Sequence, residues 1–87
     1  MATIRISTYV EDGELSFRIN DKVVLKNSGI HEEDLLENTD HILQWFVGGR
    51  PGTSYSITIS SPKEAEFQFT RTLKASGKDF GGYEFGN

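Results

Sequence analysis

Polar and apolar residues alternate strictly from Ser54 to Ser60, directly after the turn-forming residues 50–52. Tyr55, Ile57 and Ile59 would face one way, and the serine and threonine side chains between them would face the other. A period of two residues is that of a β-strand buried on one side only. The pattern therefore predicts a sheet that packs one face against a hydrophobic core.

The same alternation predicts three strands in the first third of the chain. They are Thr3–Val10, Glu14–Ile19 and Lys22–Lys26. Asn20 and Asp21 stand between the last two, and these residue types tolerate the positive φ that two-residue hairpin turns require. We therefore expect an antiparallel hairpin at this point.

Residues 30–40 interrupt the β pattern. After Ile30 they contain no β-branched residue until Thr39, and their acidic residues come early, as helix N-termini prefer. This composition predicts one or two helical turns that cross between sheets.

The second half of the chain predicts further strands. His41–Val47 is apolar at nearly every position, and Glu64–Leu73 alternates again after the segment 54–60. The Gly-rich tail 76–87 carries aromatic residues and predicts at most a short last strand at 83–85.

These segments together predict an all-β fold. We expect one antiparallel, immunoglobulin-like β-sandwich of six or seven strands with one short helical crossover. A chain of 87 residues supports one hydrophobic core, so residues 1–87 are expected to form a single domain.

Residues 51–59 resemble the segment that enters the penultimate strand of fibronectin type III and related immunoglobulin-like modules. The resemblance implies that Tyr55 forms a corner, with its hydroxyl hydrogen-bonded to backbone a few residues upstream. Trp45 lies ten residues before this tyrosine, whereas the tryptophan of the family lies much earlier in the chain. We assign structural roles to both side chains. Modules of this family serve as spacers, adhesive units or accessory domains.

Composition and charge narrow the classes of partner. The net charge is −4 and the basic residues are scattered, which disfavours nucleic acid and anionic lipid. Cysteine is absent, so neither disulfides nor a thiolate zinc site is expected. No segment has the length of a membrane span or the pattern of a signal peptide. An excised extracellular module and a cytoplasmic protein both remain open.

Chemistry beyond binding has little support in the sequence. Glu32, Glu33 and Asp34 could offer oxygen ligands to calcium, although a solvated acidic segment explains them as well. No nucleophile stands in the local pattern of a catalytic set, so we expect no enzyme. No other cofactor is expected.

Four side chains are the candidates for binding: Phe46, Arg50, Phe80 and Tyr83. Aromatic rings stack on sugars or anchor protein interfaces, and arginine adds a planar polar contact. Phe46, together with Ile42, faces away from Leu43, Trp45 and Val47 on the same strand. It would be covered by the leucines at 35 and 36 or remain exposed as a patch.

The sequence thus predicts a non-catalytic binding or spacer module of a larger surface or extracellular system, which recognises carbohydrate or protein. A stand-alone interaction protein, cytosolic or phage-encoded, and a purely structural domain without a ligand are the alternatives. We expect a monomer, and the sheet edges leave homodimerisation open.

Overall fold

The computed structural model describes residues 2–36, 39–61 and 63–86, and most of them lie in strands. None of these residues belongs to a helix long and apolar enough to cross a bilayer. A single turn of 3₁₀ helix spans Lys63–Ala65. The strands are β1 (Ala2–Val10), β2 (Gly13–Ile19), β3 (Lys22–Lys26), β4 (Gly29–Leu35), β5 (Asp40–Gly49), β6 (Ser54–Ser61), β7 (Phe67–Thr72) and β8 (Lys78–Gly86).

The strands form two antiparallel sheets of four strands each. One has the order β4-β1-β6-β7 and the other the order β3-β2-β5-β8. The expectation of an all-β, antiparallel fold is confirmed. The expected number of strands, six or seven, was wrong, because the described residues contain eight.

The hairpin between β2 and β3 has the turn that the sequence predicts. Asn20 and Asp21 adopt φ values of 50° and 68°, and Ile19 pairs with Lys22 on either side of them. Two successive positive φ values match the right-handed twist of the strands that they join.

The predicted helical crossover at residues 30–40 was wrong. Most of this segment is strand β4, which pairs with β1, while residues 37 and 38 lie outside the described residues. Cross-strand contacts explain how an acidic segment becomes a strand: the Arg5 guanidinium lies 3.1 Å from Glu32, and the Thr3 hydroxyl donates to Asp34 at 2.7 Å. Pairing with a neighbouring strand here outweighs local propensity.

The Gly-rich tail forms a much longer strand than expected. β8 pairs with β5 along its whole length, from Asp40 opposite Gly86 to Gly48 opposite Lys78, and Asn87 lies outside the described residues. Glycine is needed at position 81, since a Cβ atom there would lie 2.7 Å from the ring of Trp45. The glycine at position 81 therefore reflects close packing against Trp45.

The core lies between the two sheets and draws on both of them. Trp45 is near its centre, with its ring centroid 6.1 Å from that of Phe17 and 5.2 Å from that of Phe69. The buried apolar side chains are those of Ile4, Ile6, Val10, Leu15, Phe17, Ile19, Leu35, Leu43, Trp45, Val47, Tyr55, Ile57, Ile59, Ala65 and Leu73. Two sheets that bury a shared layer of side chains form a β-sandwich.

Candidate functional site

Phe46 and Phe80 form an aromatic pair on the outside of the β3-β2-β5-β8 sheet. They lie directly opposite each other on β5 and β8, with ring centroids 6.3 Å apart and ring planes 24° from parallel. Trp45 and Val47, on either side of Phe46, are buried, whereas Phe46 is 45% exposed and Phe80 74% exposed. The alternation of the strand thus separates core from surface residue by residue.

Arg18 contacts this pair from the other side of β5. Its guanidinium carbon lies 5.5 Å from the centre of the Phe46 ring. β2 and β8 flank β5, so Phe46 is contacted by a cation from one neighbouring strand and by a ring from the other. Such cation–π contacts contribute roughly 0.5–1 kcal/mol at exposed sites. The contact favours the observed position of the Phe46 ring.

Two exposed aliphatic side chains lie on the same side of this sheet. Val23 on β3 pairs with Arg18 on β2, and Ile42 lies four residues before Phe46 on β5. Both are exposed. We call the outward surface formed by Arg18, Val23, Ile42, Phe46 and Phe80 the aromatic face.

A groove of about 480 Å³ runs beside the aromatic pair. Lys26, Ser16, Phe46 and Phe80 occupy successive positions of one row across the four strands. Lys78 also lines the groove, as does Glu14. The side chain of Ser16 is smaller than those of Lys26 and Phe46 on either side of it, and this difference leaves the concavity. Lys26 and Lys78 border its apolar floor.

The leucines that could have covered Phe46 do not do so. Leu35 belongs to the core on the other sheet, and Leu36 is itself exposed. Of the two arrangements that the sequence left open for Phe46, the structure shows the exposed patch.

Arg50 lies at the turn after β5 and does not line the groove. Its side chain is highly exposed, and its Nε atom lies 3.8 Å from the Asp12 carboxylate. Exposed ion pairs of this kind contribute at most about 1 kcal/mol. The structure gives Arg50 no contact with the aromatic face.

Tyr83 points inward from β8. Its hydroxyl donates to the carbonyl oxygen of Ala65 at 2.6 Å, and its ring centroid lies 5.1 Å from that of Phe67. The side chain joins the 3₁₀ turn to the last strand. It therefore lies on the opposite side of β8 from Phe80.

Tyr55 is fully buried, and its hydroxyl donates to Oδ2 of Asp79 on β8 at 2.5 Å. The family resemblance implied an acceptor on backbone upstream, so the observed partner differs from that expectation. Oδ1 of the same carboxylate accepts the amide N–H of Phe80 at 2.9 Å. The hydrogen bond between Tyr55 and Asp79 thus links the two sheets next to the exposed Phe80.

The protons of Tyr55 and Tyr83 are held more tightly than those of free tyrosine. Burial, followed by the bond to Asp79, raises the pKa of Tyr55 from 10.0 to about 12. Burial raises the pKa of Tyr83 to about 12 as well. Both hydroxyls are donors, and a donor must keep its proton.

We expect the fold to lose stability steeply in alkaline solution. Between about pH 10 and pH 12 the unfolded chain releases these two protons and the folded chain keeps them, so the free energy of unfolding falls as the pH rises. Urea unfolding at about pH 9 and about pH 11 measures this loss. The Tyr55→Phe/Tyr83→Phe variant should lose less between the two conditions, and an equal loss in both proteins would contradict the assignment.

The acidic residues proposed as calcium ligands are not brought together. Glu32 pairs with Arg5, Glu33 lies 2.9 Å from Nε2 of His31, and Asp34 accepts from Thr3. Strand alternation turns Glu33 away from the other two carboxylates. Among the described residues, no three histidine or acidic side chains form a group that could hold a metal ion.

Two groups around the pair were not found from the sequence. Arg18 on β2 and Lys78 on β8 lie near the Phe46–Phe80 pair because β5 lies between these two strands in the sheet. The outward position of Arg18 on its strand was readable, but its neighbour Phe46 was not.

Comparison with known proteins gives no relative: no family model, curated protein or solved structure matches this chain. The immunoglobulin-like resemblance of residues 51–59 therefore stays a prediction.

Proposed function

We propose that this protein is a non-catalytic protein-recognition module, immunoglobulin-like in architecture, that contacts its partner through the aromatic face. The observation that carries the proposal is the pairing of Phe46 and Phe80 as exposed rings on adjacent strands. Large aromatic side chains with a neighbouring arginine are the residue types that dominate binding energy at protein interfaces.

Exposed aliphatic groups support a protein partner over a carbohydrate. Val23 and Ile42 enlarge the apolar area but offer no ring for a sugar to stack on. An apolar interface core with aromatic side chains and a polar rim is typical of protein recognition. Lys26 and Lys78 at the groove favour a partner segment that carries acidic residues.

The outer face of the other sheet provides a contrast. Its exposed apolar residues are Tyr9 and Ile30, and they lie opposite Ser56 and Ser7 on the neighbouring strands. Neither apolar side chain therefore has an apolar residue directly opposite it in the register, unlike Phe46 and Phe80. This face supplies matched control positions of similar exposure.

Selection of displayed peptides on the wild-type domain tests the proposal. The affinity of an enriched peptide should fall at least about thirtyfold in Phe46→Ser/Phe80→Ser, because a hot-spot side chain contributes about 2 kcal/mol or more. Tyr9→Ser/Ile30→Ser should bind as the wild type does. Isothermal calorimetry measures the affinities, and circular dichroism verifies that both variants fold.

Other outcomes would contradict a protein partner. Peptides that bind all three proteins equally would show that the aromatic face is not the contact surface. Saturable binding of a neutral glycan, lost only in Phe46→Ser/Phe80→Ser, would replace the protein partner by a carbohydrate. Failure to enrich any peptide or glycan would leave the spacer role.

A further inference from the structure

A second concavity lies where β7 ends and β8 begins. It has a volume of about 550 Å³ and is separate in its lining from the groove beside the aromatic pair, except for Lys78. Its lining residues are Arg71, Thr72, Lys74, Ser76, Lys78 and Asp79. We call it the basic pocket.

The basic pocket concentrates positive charge on an acidic protein. The chain has a net charge of −4, yet three of the six lining residues are cations and only Asp79 is an acid. The Asp79 carboxylate is already engaged, since it accepts from the Tyr55 hydroxyl and from the Phe80 amide. Arg71 is the nearest cation to it, at 3.9 Å.

Lys74 and Lys78 have no acidic partner of this kind. Within the described part of the chain, no carboxylate lies in salt-bridge distance of either ammonium group. Like charges gathered at one cavity repel each other and raise the local positive potential. An anion that enters the basic pocket would relieve this repulsion.

The turn that carries these side chains is ordered by its own hydrogen bonds. The amide of Gly77 donates to the carbonyl oxygen of Lys74 at 2.9 Å, and Gly77 takes a φ of 69° that favours glycine. The Ser76 hydroxyl donates to the carbonyl oxygen of Lys78 at 3.2 Å and accepts from its amide at 3.3 Å. The Thr72 hydroxyl lines the same cavity as the cations.

We propose that the basic pocket binds a tetrahedral oxyanion, the phosphate or sulfate group of a small ester. Arg71 offers a planar fork for two oxygen atoms, the two lysines offer point charges, and the Thr72 hydroxyl offers a neutral donor. The cavity is larger than a bare ion needs, because a water molecule occupies only about 30 Å³ of liquid. It leaves room for the organic group that carries the anion. This proposal does not rest on the role of the aromatic face.

Amide NMR titrations with inorganic phosphate, phenyl phosphate and phenyl sulfate, at constant ionic strength in chloride, test the proposal. We expect saturable shifts confined to residues 71–79. Lys74→Gln/Lys78→Gln should raise the dissociation constant about tenfold, as the loss of two partly exposed charge contacts implies. Lys22→Gln/Lys63→Gln removes the same charge at two exposed positions that line neither cavity, and should leave the dissociation constant unchanged.

The titrations also separate this proposal from the one before. The Phe46→Ser/Phe80→Ser variant should bind the oxyanion with the same dissociation constant as the wild type, independently of its affinity for peptides. Non-saturable shifts spread over the chain, or equal weakening in the two lysine variants, would overturn the oxyanion site. Binding of inorganic phosphate but of neither ester would overturn the ester as the ligand, whereas tighter binding of an ester than of inorganic phosphate would support it.

Discussion

Replacing Trp45 by alanine is expected to lower the free energy of unfolding by about 3–5 kcal/mol, the cost of truncating a large buried aromatic side chain. Trp45 is 4% exposed, and three phenylalanine rings surround it, those of Phe17, Phe67 and Phe69. The neighbours come from both sheets, so no single strand can move to fill the cavity. A loss of this size is comparable to the whole stability of many small domains.

The next residue in the chain supplies the control. Phe46→Ala removes a ring of similar size from the outer face of the same strand and should cost about 1 kcal/mol or less, as surface changes do. Trp45 is the only tryptophan, so urea unfolding must be followed by circular dichroism rather than tryptophan fluorescence. If Trp45→Ala does not fold, Trp45→Phe keeps a ring and should be intermediate. Equal effects at positions 45 and 46 would contradict the separation of core from surface.

Replacing Tyr55 by phenylalanine is expected to cost about 1.5–3 kcal/mol, because its hydroxyl donates to a charged group. The change leaves the Asp79 carboxylate with one fewer donor between the sheets. A double-mutant cycle with Asp79→Asn isolates the contact, and we expect a coupling energy of about 1 kcal/mol or more. Urea unfolding near neutral pH measures all four proteins.

Tyr83→Phe is the matched comparison for this cycle. Its hydroxyl donates to a neutral carbonyl oxygen, so its loss should cost only about 0.5–1.5 kcal/mol. It should also show no coupling to Asp79→Asn. A larger cost at position 83 than at position 55, or additive effects of Tyr55→Phe and Asp79→Asn, would show that the carboxylate contact contributes little.

The sequence predicted the fold correctly where the alternation of side chains and the residues of the adjoining turn indicate the same structure. Alternation located β1, β2 and β6, and the turn at Asn20 and Asp21 fixed one hairpin. Prediction failed at β4, where Glu32 forms an ion pair with Arg5 and Asp34 accepts a hydrogen bond from Thr3, both on another strand. That compensation is a contact between residues far apart in sequence, and no local pattern records it.

The aromatic face was predictable only in part, for the same reason. The outward position of Phe46 follows from the alternation of its strand, but its pairing with Phe80 depends on the register between β5 and β8. The tail that contains Phe80 did not read as a regular strand because of its glycines. Gly81 is explained only by its close approach to Trp45, which the finished structure shows.

The place of β8 as the last strand in the chain order has a consequence for when binding becomes possible. Phe80 of the aromatic face and Lys78 of the basic pocket both lie on this strand, and among the described strands β8 pairs with β5 alone. During synthesis the other seven strands leave the ribosome first. A nascent chain in which β8 has not yet been synthesised therefore lacks Phe80 and has no complete aromatic face. A partner that requires both rings would bind the folded domain and not this shorter chain.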